Sequence, residues 1–198
     1  MVQSIDILTN PSALAILRCL NENDSCYKAE LTKKTGLSKA TIWKWLKELP
    51  ASGFVKKEQK NGRIVYSLDK NCSLVRQLLV LLSVAKLHEY FSSFGGGSGS
   101  GAGYGDGSGF GGGSDKCYLY GSLSRGEGDS RSDIDLLVIS GRDKKKILQD
   151  VDKIAGKMKK KISPAVFTPV EFSALSRKDK PFYERLIRNR IKINDDRD

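Results

Sequence analysis

Gly121-Ser122-Leu123-Ser124-Arg125-Gly126, followed by Ser132-Asp133-Ile134-Asp135-Leu136, is the stretch that decides the fold of the second half of this 198-residue chain. The β-rich run Cys117-Tyr118-Leu119-Tyr120 leads into the Gly-Ser pair. The apolar run Leu136-Leu137-Val138-Ile139 leaves the Asp-x-Asp pair and predicts a buried strand. Side chains alternate along a strand, so Asp133 and Asp135 fall on one face at its entry. Two carboxylates on one face repel unless a cation lies between them. Mg²⁺ or Mn²⁺ suits the position, because hard divalent ions take oxygen ligands and the company of phosphates. Gly121 lets the backbone come close to a phosphate, and the Ser122 hydroxyl can hold its oxygens.

With these residues quoted, the segment resembles the minimal nucleotidyltransferases of the DNA polymerase β superfamily. The resemblance implies a small mixed sheet with flanking helices. It implies that Asp133 and Asp135 ligate the metal and serve catalysis, and that Gly121 and Ser122 grip a nucleoside triphosphate such as ATP. Arg125 would lie near the phosphates or the acceptor; the other reading is a surface ion pair with Glu127 or Asp129. The expected order continues with an amphipathic helix over Lys144–Lys161, a strand over Ile162–Thr168, a turn into a short helix at Pro169–Phe172, and a helix over Pro181–Arg190. One departure bears on activity. Active members usually place a third carboxylate on the strand after the amphipathic helix, and Ile162–Thr168 contains no acid. Glu171 is the nearest candidate, although a charge at a helix start explains it as well. Losing a general base typically costs transfer about 10²–10⁴-fold.

The other end of the chain carries a second pattern. Asn10-Pro11-Ser12 is a helix start, followed by Leu14, Ile16, Leu17 and Leu20 on one side. Asp24 or Ser25 can cap a second helix, which Gly36 ends. Ser38 caps a third, Lys39 to about Leu49, closed by Pro50. Its Ile42, Trp45, Leu46 and Leu49 form one apolar stripe, opposite Ala40, Lys44 and Lys47. Val55–Gln59 and Ile64–Leu68 flank Lys60-Asn61-Gly62-Arg63, a strong hairpin signal. Three helices and a hairpin in this order predict a winged helix-turn-helix.

Leu31-Thr32-Lys33-Lys34-Thr35-Gly36-Leu37-Ser38 running through Leu49, with Ser52-Gly53-Phe54-Val55 after it, resembles winged-helix transcription regulators of the multiple-antibiotic-resistance and arsenic-repressor type. A helix capped at Ser38 can offer its first turn to a phosphate of double-stranded DNA, while Lys39, Lys44 and Lys47 neutralise backbone charge. Thr41 and Trp43 are placed to reach base edges. Lys60 and Arg63, at the hairpin tip, can enter the neighbouring minor groove. Against this stand two plainer readings, a solvated lysine face and a packed Trp43.

The fold class is therefore α+β in two domains: a winged helix-turn-helix over residues 1–94, a Gly/Ser-rich linker over 95–114, and a minimal nucleotidyltransferase-like domain over 115–198. Twelve of the 20 glycines lie in the linker, which cannot bury enough surface to offset its ordering entropy. Residues 73–94 predict a long helix too broadly apolar for one partner. A second copy, giving a homodimer, or the C-terminal domain folding back would cover it. The net charge of +11 is shared: 14 basic and 8 acidic side chains before the linker, 20 and 14 after it.

Composition excludes much else. No apolar run approaches the roughly 18 residues of a membrane span. The first residues lack a secretory pattern, so a cytoplasmic protein is expected. Cys19, Cys26, Cys72 and Cys117 form no Cys-x-x-Cys pair and His88 is the sole histidine, which argues against a zinc site. Three functions stay open. The chain is a DNA-binding regulator with a nucleotide-binding domain, or an active nucleotidyltransferase acting on a protein or small acceptor. The third, an antitoxin with a toxin protein as partner, rests on the resemblance alone.

Overall fold

The computed structural model describes residues 4–95, 115–129 and 131–194. The chain divides into two compact units, Met1–Leu79 and Val80–Asp198. Most of the expected linker, residues 96–114, lies outside the described residues.

In the first unit a short helix α1 (Ser4–Thr9) precedes α2 (Pro11–Asn23). Asn10 caps α2 as expected: its Oδ1 accepts from the amides of Ser12 at 3.0 Å and Ala13 at 3.2 Å. The next element differs from the expectation. Ser25–Tyr27 is a three-residue strand, β1, antiparallel to the hairpin, and α3 (Lys28–Thr35) starts only after it. Asp24 takes φ 57°, which stops α2 and turns the chain. Neither Asp24 nor Ser25 then caps α3; Glu30 reaches back to the Tyr27 amide at 2.7 Å instead. Gly36, at φ 69°, ends α3.

α4 (Lys39–Ala51) buries the expected Ile42, Trp45, Leu46 and Leu49 and runs one residue past Pro50. β2 (Val55–Lys60) and β3 (Arg63–Leu68) pair from Val55–Leu68 to Lys60–Arg63, leaving a two-residue loop. Asn61 and Gly62 both have positive φ, 51° and 72°, as the tight turn matching strand twist requires. The sheet order is β1-β3-β2.

α5 (Ser73–Gly95) is the expected long helix, and it crosses from one unit into the other. The division therefore falls inside it, not at its end. Val75, Leu78 and Leu79 are buried, whereas Val84, Leu87, Tyr90 and Phe91 pack into the core of the C-terminal unit. Of the two partners left open for this helix, the C-terminal domain supplies one. Leu74 and Leu81 remain exposed, at 40% and 63%.

The second unit has a four-stranded sheet in the order β6-β5-β4-β7. Its elements are β4 (Lys116–Tyr120), the single turn α6 (Gly121–Ser124), β5 (Ile134–Ile139), α7 (Lys144–Met158), β6 (Ile162–Phe167), α8 (Pro169–Lys178), α9 (Lys180–Ile187) and β7 (Ile191–Lys192). β5 and β6 are parallel; β4 is antiparallel to β5 and β7. One sheet face buries Leu119, Leu136 and Val138 against Ile147, Val151 and Ile154 of α7 and Leu87 and Phe91 of α5. The other packs Leu137 and Ile139 with Phe172, Phe182 and Leu186 of α8 and α9. Asp115, 2% exposed, ties the ends of β4 and β5 together: Ser140 donates to it, Arg142 bridges it at 3.1 Å, and Asn194 donates to its carbonyl at 2.6 Å.

Candidate functional sites

The chain has two candidate sites, one in each unit. In the first unit, Ser38 precedes α4, and its Oγ accepts from the Thr41 amide at 3.1 Å and meets Thr41 Oγ1 at 2.9 Å. Ser38 is thus occupied as a cap, and half-buried Thr41 shares that bond. Lys39, Ala40, Lys44 and Lys47 are exposed along α4. Among the described residues none of these three lysines pairs with an acid. Trp43 is 64% exposed, which removes the packed-aromatic reading. The Lys28 ammonium stands 3.9 Å from its ring centroid, so a further cation joins this face from α3. Lys60 and Arg63 face each other across the hairpin tip, with Lys60 3.4 Å from Glu58.

In the second unit the sheet assembles the site. Tyr120, the last residue of β4, lies directly opposite Asp135 on β5. Gly121 follows at φ 77°, and a Cβ there would meet Asp135 Oδ2 at 2.0 Å. Only glycine fits, because the backbone presses against the carboxylate in a conformation other residues avoid. Ser122 is half-buried, and its hydroxyl makes no hydrogen bond among the described residues. Arg125 adopts the ion-pair reading: its Nε donates to Glu127 at 2.7 Å and its Nη1 to the Gly121 carbonyl at 3.0 Å.

Both aspartates lie at the entry to β5 and are half-buried rather than open to solvent. Their charges are held differently. Burial pushes the Asp135 carboxyl up, and neighbouring Asp133 adds to the rise. Asp133 is held below the usual carboxylate range by Lys161, whose Nζ lies 2.5 Å from Oδ2. Ser163 Oγ reaches the same oxygen at 3.4 Å. Tyr120 is raised by burial and then by Asp135. Arg185 of α9, over the Phe182 ring at 4.8 Å, opposes both rises.

The strand register places the third-carboxylate candidate elsewhere. β5 and β6 run parallel with Asp135 beside Ser163, so the aspartates sit at the start of β6. Glu171 lies beyond its end, about 20 Å along a six-residue strand. There it caps α8: the Thr168 amide donates to it at 2.8 Å and Lys144 Nζ at 2.9 Å, and together they pull its carboxyl down to about 2. At the aspartates β6 contributes a hydroxyl and, just before it, an ammonium. Sequence reasoning misses Lys161 and Arg185. A basic residue entering the strand parallel to an Asp-bearing one is the available signal for Lys161.

Among the described residues no three His, Cys, Asp or Glu side chains gather as a metal centre. Two carboxylates still fit Mg²⁺, which commonly takes one or two protein carboxylates and completes its shell with phosphates and water. Asp133 and Asp135 are the residues that would hold it. Among the described residues no helix is long and apolar enough to cross a membrane.

The described elements form a winged helix followed by a four-stranded mixed sheet with flanking helices. Residues 9–65 match the MarR family and residues 110–193 match the nucleotidyltransferase domain. The chain thus joins a segment similar to the MarR family to one similar to the nucleotidyltransferase domain. Among solved structures it is similar to a predicted DNA-binding transcriptional regulator from E. coli, with 25% identity over 41% of this chain and 83% of that one and a TM-score of 0.37. It is similar to NolR from Sinorhizobium fredii, with 28% identity over 40% and 76% and a TM-score of 0.35. A third is the AntR antimony-specific transcriptional repressor, with 19% identity over 43% and 76% and a TM-score of 0.37. No curated protein matches the chain.

Proposed function

We propose that the protein is a DNA-binding transcriptional regulator whose C-terminal domain binds a nucleoside triphosphate together with Mg²⁺. The observation that carries the nucleotide half is Gly121 pressed against Asp135 while β6 offers no acid beside the pair. That arrangement keeps a phosphate-approaching backbone and two carboxylates at the strand entry, and β6 supplies no third carboxylate to act as general base. Asp133 and Asp135 hold the ion, the Gly121 backbone and Ser122 hydroxyl take phosphate oxygens, and Arg185 supplies positive charge near Asp135. Bound there, the ion would neutralise phosphate charge. Arg125 steadies the turn through Gly121 and Glu127. α6 is only one turn long, so its dipole adds little.

The DNA half rests on the open face of α4. Lys39, Lys44 and Lys47 neutralise phosphates, Trp43 and Thr41 face base edges, and Lys60 and Arg63 reach the adjacent minor groove. Exposed Leu74 and Leu81 on α5 support a homodimer reading a two-fold symmetric operator.

A second reading, transfer of a nucleoside monophosphate to a protein or small acceptor, is favoured by the intact Gly121-Ser122 and Asp133/Asp135 geometry. Incubating the full chain with α-labelled nucleoside triphosphates, Mg²⁺ and cell extract separates the two. A labelled product that vanishes in an Asp133→Ala, Asp135→Ala variant would sink the regulator-only reading. Absence of any transfer, with footprinting of one specific DNA site, supports it. An antitoxin role stays tied to the resemblance alone.

A further inference from the structure

The two aspartates are not equivalent. Among the described residues no side-chain hydrogen bond engages the Asp135 carboxylate, against which the Gly121 backbone packs. Asp133 Oδ2 is already engaged by Lys161 Nζ at 2.5 Å and by Ser163 Oγ at 3.4 Å. Lys161 is fixed in place by its backbone, since its carbonyl accepts from the Ile134 amide at 3.0 Å where β5 and β6 begin to pair. Its side chain is nevertheless 73% exposed. A lysine anchored at its Cα and free along its stem is a charge that can be present or withdrawn.

We propose that Lys161 is a tethered cation guarding the carboxylate pair, so that a divalent ion reaches Asp133 only by displacing its ammonium. This rests on the metal- and nucleotide-binding reading of the site and concerns how that site is controlled. Alone, a divalent ion must compete with a unit positive charge on the same oxygen. A polyphosphate changes the balance by offering the ammonium a second anion within reach of its flexible stem. Ion and nucleotide then enter together, and neither is held firmly without the other. An exposed ion pair is weak enough to be exchanged in this way.

The test is Mn²⁺ binding to the full chain, read as loss of the free-ion electron paramagnetic resonance signal, without nucleotide and then with ATP. Lys161→Met removes the charge and leaves an apolar stem on an exposed position. It is expected to bind Mn²⁺ about tenfold more tightly than the natural chain when nucleotide is absent. Lys161→Arg keeps a cation and should restore the weak binding. Asp133→Ala, Asp135→Ala should lose the site. Equal or weaker Mn²⁺ binding by Lys161→Met, with the site still lost in the double variant, overturns the guarding role and leaves the metal reading intact. If no variant binds Mn²⁺, with or without ATP, both fall.

Discussion

The two basic regions of the molecule use their cations in opposite ways. Along α4 the lysines are exposed and, among the described residues, Lys39, Lys44 and Lys47 face no acid. In the C-terminal unit several cations near the site and the sheet ends are matched: Lys161 with Asp133, Arg125 with Glu127, Lys144 with Glu171, Arg142 with Asp115 and Asp150. The net charges of the two ends are alike, but the physics is not. Cations without an acid partner on one helix face have hydration and counterions to exchange for phosphates, which gives affinity that salt weakens. Paired cations are already spent on local order and become available only when a competing anion arrives. Net charge by itself does not separate a groove reader from a guarded pocket.

The largest effect is expected at a matched pair in the second unit. Asp115→Ala strips Arg142 and Ser140 of a buried partner and should cost about 3 kcal/mol, seen as a lower denaturation midpoint. Little change would mean that the pairing is incidental. Gly121→Val comes next. A side chain there collides with Asp135 at positive φ, so ATP affinity should fall by about 100-fold or more while duplex binding persists; equilibrium titration of each ligand checks this.

Lys44→Ala, Lys47→Ala tests the open face of α4. Duplex affinity should drop about tenfold or more at moderate salt, and the slope of log affinity against log salt should flatten by about 2. An unchanged slope would remove these lysines from the phosphates. The smallest effect is at Glu171. Its carboxyl is depressed to about 2 by the Thr168 amide and Lys144, so its stabilisation is full above about pH 4.5 and fades as pH falls towards 2. Melting curves of Glu171→Gln should lie below those of the natural chain at pH 6 and converge with them near pH 2.

Much of the fold is legible in the sequence where a residue meets a local backbone requirement. The winged helix follows in this way from Asn10, Ser38 and Gly36 as caps and from Asn61-Gly62 as a turn. The Gly121–Asp135 contact is half legible: the glycine and the carboxylate each stand out, but their collision needs the β4–β5 register. β1 and β7 escape a sequence reading, since two or three residues carry no periodicity and become strands only through β3 and β4. The partner of Leu87 and Phe91 escapes it too, because an apolar stripe states that it must be covered and not by what. Lys161 reads as one more exposed lysine of a basic run. Only parallel pairing of β5 with β6 brings it to Asp133 and carries Glu171 to the opposite end.

We propose that one chain carries two chemically independent anion sites, an open one for duplex DNA and a guarded one for a nucleotide. Fluorescence-anisotropy titration of the full chain on a duplex selected from random sequence tests it most directly. The expected result is a sequence-preferring, salt-sensitive complex that Lys44→Ala, Lys47→Ala weakens and Asp133→Ala, Asp135→Ala leaves unchanged. A chain that prefers no duplex over bulk DNA, or whose duplex binding disappears with the two aspartates, would contradict it.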